Sequence, residues 1–501
     1  MTPSPSRYAD WKAPDEDGHL LIWPDPATLL RETRENHHRL AAADVRVQNV
    51  PLNELRRRQR HWVGHTADDQ PLVASGHQVE LYHPGVWVKD ALTNAIANRV
   101  GGQPWHFAID TDSPKHLHLR WPGGSMPITD DDRPGAAPWA GLLDGPTPAH
   151  VNDLEAAFHE ARLGWDFEPA IEGIFDHLRR LAMGRPPLAS SLTNAIHKLD
   201  WDLGLRQHAI LMAPLWACEP YGAFAHHLLA RAGQFATQYN AALADYRHEQ
   251  GIRSPGRPMP DLQVGPDEVE APFWLDDLAN ESRRRLVLHR TEGTWTMASS
   301  DGAFAFDEGE DGFAAARRLL AFLRQHGLRL APRALTLTTF FRLLLADQFV
   351  HGIGGGRYDQ VADRLIASHF GLEPPRFAVT TATLYFPAAR GQKRISLRPL
   401  LQEGRRLRHG SFSREKRALA DRIATLPRRS RERRDLYHQM HAKLNRQVAS
   451  PGMREWSERL EEATREQMRQ KTLFDRELFF AVQPEDRLRA MIDRCEAALR
   501  V

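Results

Sequence analysis

Cysteine is nearly absent from this 501-residue chain, with Cys218 and Cys495 its only two. So small a number excludes a disulfide framework and makes a reducing compartment the expected home. Neither a CxxC nor an HExxH pattern occurs, which removes the usual signatures of a zinc site. No apolar run approaches the ~18–20 residues of a membrane span. The opening stretch, MTPSPSRYADWK, lacks the apolar core of a signal peptide. A cytoplasmic location and no membrane partner are therefore expected. The net charge of +2 lets neither sign dominate the chain as a whole.

What is present suits a globular protein: 42% apolar and 26% charged residues. The length allows two to four ordinary domains, or one large core with additions. Charge is unevenly spread. Between Arg390 and Arg446 stand eighteen Lys/Arg against five Asp/Glu, a segment able to attract an acidic surface or nucleic acid. The plainer reading is a solvated, arginine-rich helical face. The segment has few aromatics for base stacking, so nucleic acid is not the expected partner.

Periodicity divides the chain into three parts. Residues 1–70 are expected to be mainly helical and to pack on the core, because LLRETRENHHRLAAA and LNELRRRQRHWVG carry apolar positions at three- and four-residue steps. Residues 71–390 form the expected α/β core. There PLVASGHQ reads as a buried strand, VWVKDALTNAIANRVGG as a helix stopped by Gly101-Gly102, and WHFAID as a second strand ending in DTDSPKH. This strand–helix–strand unit builds parallel sheets, whose ligands sit beyond the carboxyl ends of the strands. The core is expected to carry a helical insertion at about 151–250, a long loop over 120–150 and a β-hairpin at about 284–298, turning at Glu292-Gly293. Residues 391–501 read as charged helices of the kind that pair as coiled coils or carry a dimer contact.

Two stretches concentrate the chemistry. In VASGHQVELYHPGVWVKDA, residues 73–91, two polar turns lie between a strand and a helix. In FFRLLLADQFVHGIGGGRYDQ, a helical apolar run is expected to meet a glycine-rich loop, with a new helix from about Arg357. Glycines let backbone approach a ligand, and a helix N-terminus favours anions. The loop is neither GxGxxG nor GxxxxGK[ST], so a tight helix–helix turn explains it equally well.

Together these stretches resemble the cysteine-adding enzyme family of bacillithiol biosynthesis. Ser75, Gly76, His77 and Gln78 match the family's TGQQ-type turn. Pro84-Gly85 matches its Gly-Pro turn in reversed order, and Lys89 falls within about one residue of its lysine. Gly352, Gly354 and Tyr358 coincide with its glycine-rich segment, and His369, Phe370 and Gly371 with its HFG-type stop. Where the family has an acidic EDHD-type cluster this chain has DTDSPKH, with Asp112 as the retained acid. Thr336 stands at a family arginine. The resemblance covers about 100–120 residues well. It implies a Rossmann-like parallel sheet core with large helical insertions, a C-terminal coiled coil used in homodimerisation, and a ligase that joins the carboxyl group of cysteine to the amine of a glucosamine–malate conjugate.

Such a condensation needs a base for the amine and cationic or N–H groups for anions. The candidate catalytic residues are His77, His83 and Asp112. Candidates for binding substrate or an anion are Gly76, Gln78, Lys89, Asp110, His351, Gly354, Gly355, Gly356, Arg357 and Tyr358. Each has a plain alternative. The histidines can cap turns, Lys89 can be solvated, and Asp110 and Asp112 can close the turn after their strand. The activating cofactor is left open, with a nucleotide (ATP or ADP) and magnesium as the candidates. No metal ligands are assigned, because His226-His227 and His116-x-His118 lack a third partner. The competing reading is a small-molecule-binding or scaffold protein that retains the fold without the chemistry.

Overall fold

A computed structural model describes residues 11–133, 135–299, 302–410, 413–448 and 451–500. Positions 1–10 of the N-terminal segment, and 411–412, 449–450 and 501 of the C-terminal one, lie outside the described residues.

Six strands form the central sheet: β1 (Leu20–Trp23), β2 (Leu72–Gln78), β3 (Gln103–Ile109), β4 (His208–Leu211), β5 (Gln348–His351) and β6 (Ala378–Ala382). Their order across the sheet is β1-β6-β5-β2-β3-β4. The last five run parallel and β1 pairs antiparallel with β6. The protein is thus a mixed α/β structure. Leu72 to Ser75 are all buried, as expected of an inner strand covered on both faces.

The order contains a reversal that sets the position of the site. From β2 the chain adds β3 and β4 on one side. It returns more than a hundred residues later to lay β5 against the other side of β2, with Val350 opposite Ser75. Two neighbouring strands whose connections leave in opposite directions open a crevice at their carboxyl ends, where ligands of parallel sheets bind.

The Pro84–Val100 helix links β2 to β3. Its start is fixed by His83, whose Nδ1 accepts from the Gly85 N–H at 3.1 Å, and by Pro84 in the first turn. It ends at Gly101, left-handed at φ +70°. Nearly all of its faces are buried, since the Glu485–Ala498 helix packs on it from outside.

A five-stranded antiparallel sheet lies in sequence between β4 and β5. Its order is Gly302–Phe306, Thr294–Ser299, Ser282–Thr291, Glu268–Asp277, Leu328–Pro332. The hairpin around Glu292-Gly293 is its middle. One apolar core runs through both sheets, from Leu72 and Phe107 through Phe341 to Phe273 and Leu330.

Several elements depart from the sequence reading. The stretch 1–70 contributes β1 to the sheet besides its helices Pro26–Ala42 and Leu52–Val63. The helical stretch 151–250 contains β4, four residues too short to show a period. The 120–150 loop holds a small hairpin of His118–Trp121 with Gly124–Pro127. The run FFRLLLADQFV is not one helix. It makes a wide π-type turn over Phe341–Leu345, closed by the Ala346 N–H donating to the Phe341 carbonyl, and then becomes β5. A continuous apolar run fits buried helix and buried strand alike, so periodicity does not separate them.

Contacts divide the chain into two compact units, residues 1–384 with 476–501, and residues 385–475. In the second, the Arg398–Gly410 helix packs on Pro451–Gln470, with the Trp456 indole donating to the Leu400 carbonyl at 2.6 Å. Ser413–Thr425 packs on Arg431–Val448, where Lys443 pairs with Glu415.

Candidate functional site

At the crevice between β2 and β5 lies a cavity of about 180 Å³. Gly76, Ile109, Asp112, His351, Gly355, Tyr358 and Asp359 line it together with Thr338, Met259 and an apolar wall from Leu335 to Phe349. Residues more than two hundred positions apart thus meet at the carboxyl edge of the sheet. Gly76 is required here, because a Cβ at this position would stand 2.8 Å from the Phe107 carbonyl oxygen of the next strand.

The glycine-rich segment is the first turn of a helix rather than a loop. That helix runs Ile353–Phe370, four residues earlier than the expected start at Arg357. Close packing explains why it holds glycines. A Cβ on Gly356 would lie 2.4 Å from Val379 of β6 and 2.9 Å from the Trp11 ring, and one on Gly355 would lie 2.8 Å from His351 Nδ1. Gly354 is exposed with nothing near it.

His351 ends β5 with its ring buried. Its Nε2 is 2.8 Å from Asp359 Oδ2. A carboxylate only accepts, so in the neutral ring Nε2 carries the proton and Nδ1 keeps its lone pair, and the protonated ring faces Asp359 as a cation. Nδ1 faces the Gly355 turn and has no hydrogen bond among the described residues. Asp359 is fully buried and also accepts from Thr338 Oγ1 at 2.6 Å and Arg342 Nη1 at 2.8 Å. Burial alone would raise its pKa, but the Arg342 and His351 charges bring it down to about 2. Arg342, in the π-type turn, is held on its other side by Asp363 at 2.5 Å. The result is an oriented histidine with an ionised carboxylate behind it, the arrangement of a general base.

Across the cavity, Asp112 Oδ2 accepts from Gln78 Nε2 at 2.8 Å, while Oδ1 has no partner among the described residues. Tyr358 is 41% exposed at the mouth.

The other sequence candidates lie elsewhere. Side chains alternate along a strand, so His77 points away from the face of Gly76 and Gln78. It joins His106, His197, Tyr82 and Asp200 around a separate void of about 20 Å³. Burial, with the Lys89 charge, pushes the His77 ring well below its ordinary value. Lys89 donates to the Gly76 carbonyl at 2.6 Å, and burial brings its ammonium down to about 8. It therefore braces the strand end instead of lining the cavity. His83 is the helix cap described above. Asp110 Oδ1 accepts from the N–H groups of Met212 and Ala213 at 3.0 and 2.8 Å, tying β3 to the end of β4, and burial raises its pKa. Arg357 reaches the Trp11 carbonyl at 2.9 Å.

The cavity does not fit the cofactors considered. Among the described residues no lysine or arginine lines it, and its volume is below the ~300–1,000 Å³ of drug-sized ligand pockets, so a nucleotide polyphosphate has neither room nor countercharge. Asp112 is the one lining carboxylate not consumed by cations, too few for magnesium. Elsewhere among the described residues, Glu155, His159 and Glu172 cluster within ligating distance of one another. However, Arg179 holds Glu155, and Arg162 lies 3.4 Å from Glu172.

Sequence reasoning missed Asp359, Thr338 and Arg342. A signal existed for the first. Gly356, Asp359, Ala362 and Ile366 follow helical spacing along a buried stripe, where an unpaired acid is not tolerated. No known protein-family model matches the chain, and no curated protein matches it.

Proposed function

We propose that the chain is an enzyme forming a carbon–nitrogen bond, a ligase of the cysteine-adding type that condenses an amino-acid carboxylate with the amine of a small sugar conjugate. The observation that carries the reading is the His351–Asp359 pair facing Asp112 across one small cavity. His351 Nδ1 takes a proton from the amine as its nitrogen bonds to the carbonyl carbon of an acid that arrives already activated, the activating group leaves with its bonding pair, and Asp359 steadies the imidazolium that forms. The free Asp112 oxygen holds the ammonium form of the amine on arrival. The N–H groups of the Ile353–Phe370 first turn suit a carboxylate, and a cavity of about 180 Å³ suits a ligand of amino-acid size. Cysteine as the acid and glucosamine–malate as the amine come from the sequence resemblance alone. So do the Rossmann-like description of the core and a homodimer through the 391–501 helices. For the dimer, sedimentation of the intact chain at twice its mass is the expected result.

A second reading is favoured by Gln78, which already occupies one oxygen of Asp112: the cavity binds a small amine without turning it over. Calorimetric titration with L-cysteine and with glucosamine–malate, followed by a product assay with cysteine supplied as an activated ester, separates the two. The ligase reading expects binding that weakens in Asp112→Asn, together with an amide product. Binding without product supports the second reading, and absence of binding removes both.

A further inference from the structure

The opposite, amino-terminal edge of the sheet carries a cleft of about 440 Å³, lined by His37, Asn53, Arg56, Arg57, Arg60 and Asp347 among others. At its floor Asp347, fully buried, precedes β5. Its carboxylate accepts from the Leu72 N–H at 2.8 Å and from Arg56 Nη2 at 2.8 Å. Arg60 Nη2 lies at 2.7 Å and His37 Nδ1 at 3.2 Å. Arg56 and Arg60 are themselves buried, and each also donates to a carbonyl, of Leu343 and Leu345 respectively.

The lining holds three guanidiniums and three carboxylates, but the charges are not evenly placed. Two buried guanidiniums share the single carboxylate of Asp347. The other two acids stand nearer solvent, Glu54 paired with Arg58 at 2.8 Å and Asp68 at 3.1 Å from His61. The third guanidinium, Arg57, is exposed at the rim and has no hydrogen bond or ion pair among the described residues. Burial and the neighbouring Arg60 charge bring Arg56 down to about 9. A buried cation short of countercharge is costly, and an anion seated above it offsets that cost. Guanidinium pairs bind phosphate with two parallel hydrogen bonds each.

We propose that this cleft is a binding site for a small organic phosphate, with the phosphoryl group held between Arg57 and the Arg56–Arg60 floor. The cleft is larger than a phosphate ion and falls within the volume range of small-molecule sites. It stands apart from the His351 cavity and does not depend on the catalytic reading.

The test is calorimetric titration of the intact chain, in chloride buffer, with inorganic phosphate, glucose 6-phosphate and AMP. Saturable binding of at least one at a Kd of about 1 mM or tighter is expected. Arg57→Glu, an exposed change that leaves the fold intact, weakens it at least tenfold, whereas His351→Asn leaves it unchanged. Tightest binding of the sugar phosphate or of AMP identifies the group beyond the phosphoryl, and equal binding of all three restricts recognition to the phosphoryl itself. No saturation with any of the three by about 10 mM, equal affinity in Arg57→Glu, or loss in His351→Asn instead overturns the proposal.

Discussion

Asp359 has three tasks: it orients His351, neutralises Arg342 and anchors Thr338. Asp359→Asn keeps the shape and removes the charge. The expected consequences are a fall of 10²- to 10⁴-fold in turnover, as for loss of general-base assistance, and a stability loss of about 1.5–3 kcal/mol for the lost charge-assisted hydrogen bonds, Arg342 keeping Asp363 as its partner. Kinetics and urea denaturation read the two separately. The sign of the pH effect follows from the depressed pKa. Asp359 is ionised at about 2 in the native state, against ~3.9 unfolded. Its stabilisation is therefore complete above pH ~4 and is lost as pH falls from there toward 2. At this scale Gly76, Asp112, His351, Gly355 and Tyr358 were legible, because each stands in a turn-rich string at an element end. His77 was misleading because the side of a strand it faces depends on a register the sequence does not declare. Arg342 and Asp359 looked like ordinary helix charges, since only their tertiary burial makes them a pair.

The Ile353–Phe370 helix begins against β6, and its glycines differ in what they tolerate. Gly356→Ala drives a methyl into Val379 and Trp11, and a loss of about 1–3 kcal/mol is expected from overpacking. Gly354→Ala meets nothing, so a change within about 0.5 kcal/mol, or a small gain from reduced freedom of the unfolded chain, is expected. Thermal unfolding of the two variants side by side checks the contrast. The strand–helix–strand unit over 72–109 was readable because Gly, Pro and His mark its turns. Strand β5 was not. Its four residues continue an apolar run, and what ends the preceding turn is Asp347, whose carboxylate has four polar partners from distant parts of the chain.

Across the whole molecule, buried histidines set the response to acid. Burial brings His226 and His369 down to about 4 and His227 to about 2. The unfolded chain takes up these protons below pH ~6.5 and the native state does not, so stability falls as pH drops from ~6.5 toward 4. A loss of several kcal/mol across that window is expected, because each tenfold difference in proton affinity between the two states is worth about 1.4 kcal/mol. His226 has no hydrogen bond among the described residues and packs against Phe304 and Phe306. His226→Phe should therefore lose less stability than the parent between pH 7 and pH 5, as measured by urea denaturation. The two-edged arrangement of the sheet, an acid–base cavity at one end and an arginine-lined cleft at the other, was not legible in sequence, because β5 returns to β2 only after the whole intervening insertion. The central claim is that the cavity between those strands makes an amide bond. Its most direct test is mass-spectrometric detection of the condensation product of glucosamine–malate with L-cysteine supplied as a small activated ester, because amide formation from a free carboxylate runs uphill in water and the cavity has no room for a nucleotide polyphosphate. The account predicts a product at the summed mass of cysteine and glucosamine–malate less one water, with the ester's alcohol released, formed at least 100-fold more slowly by His351→Asn. No product, or an equal rate from His351→Asn, would contradict it.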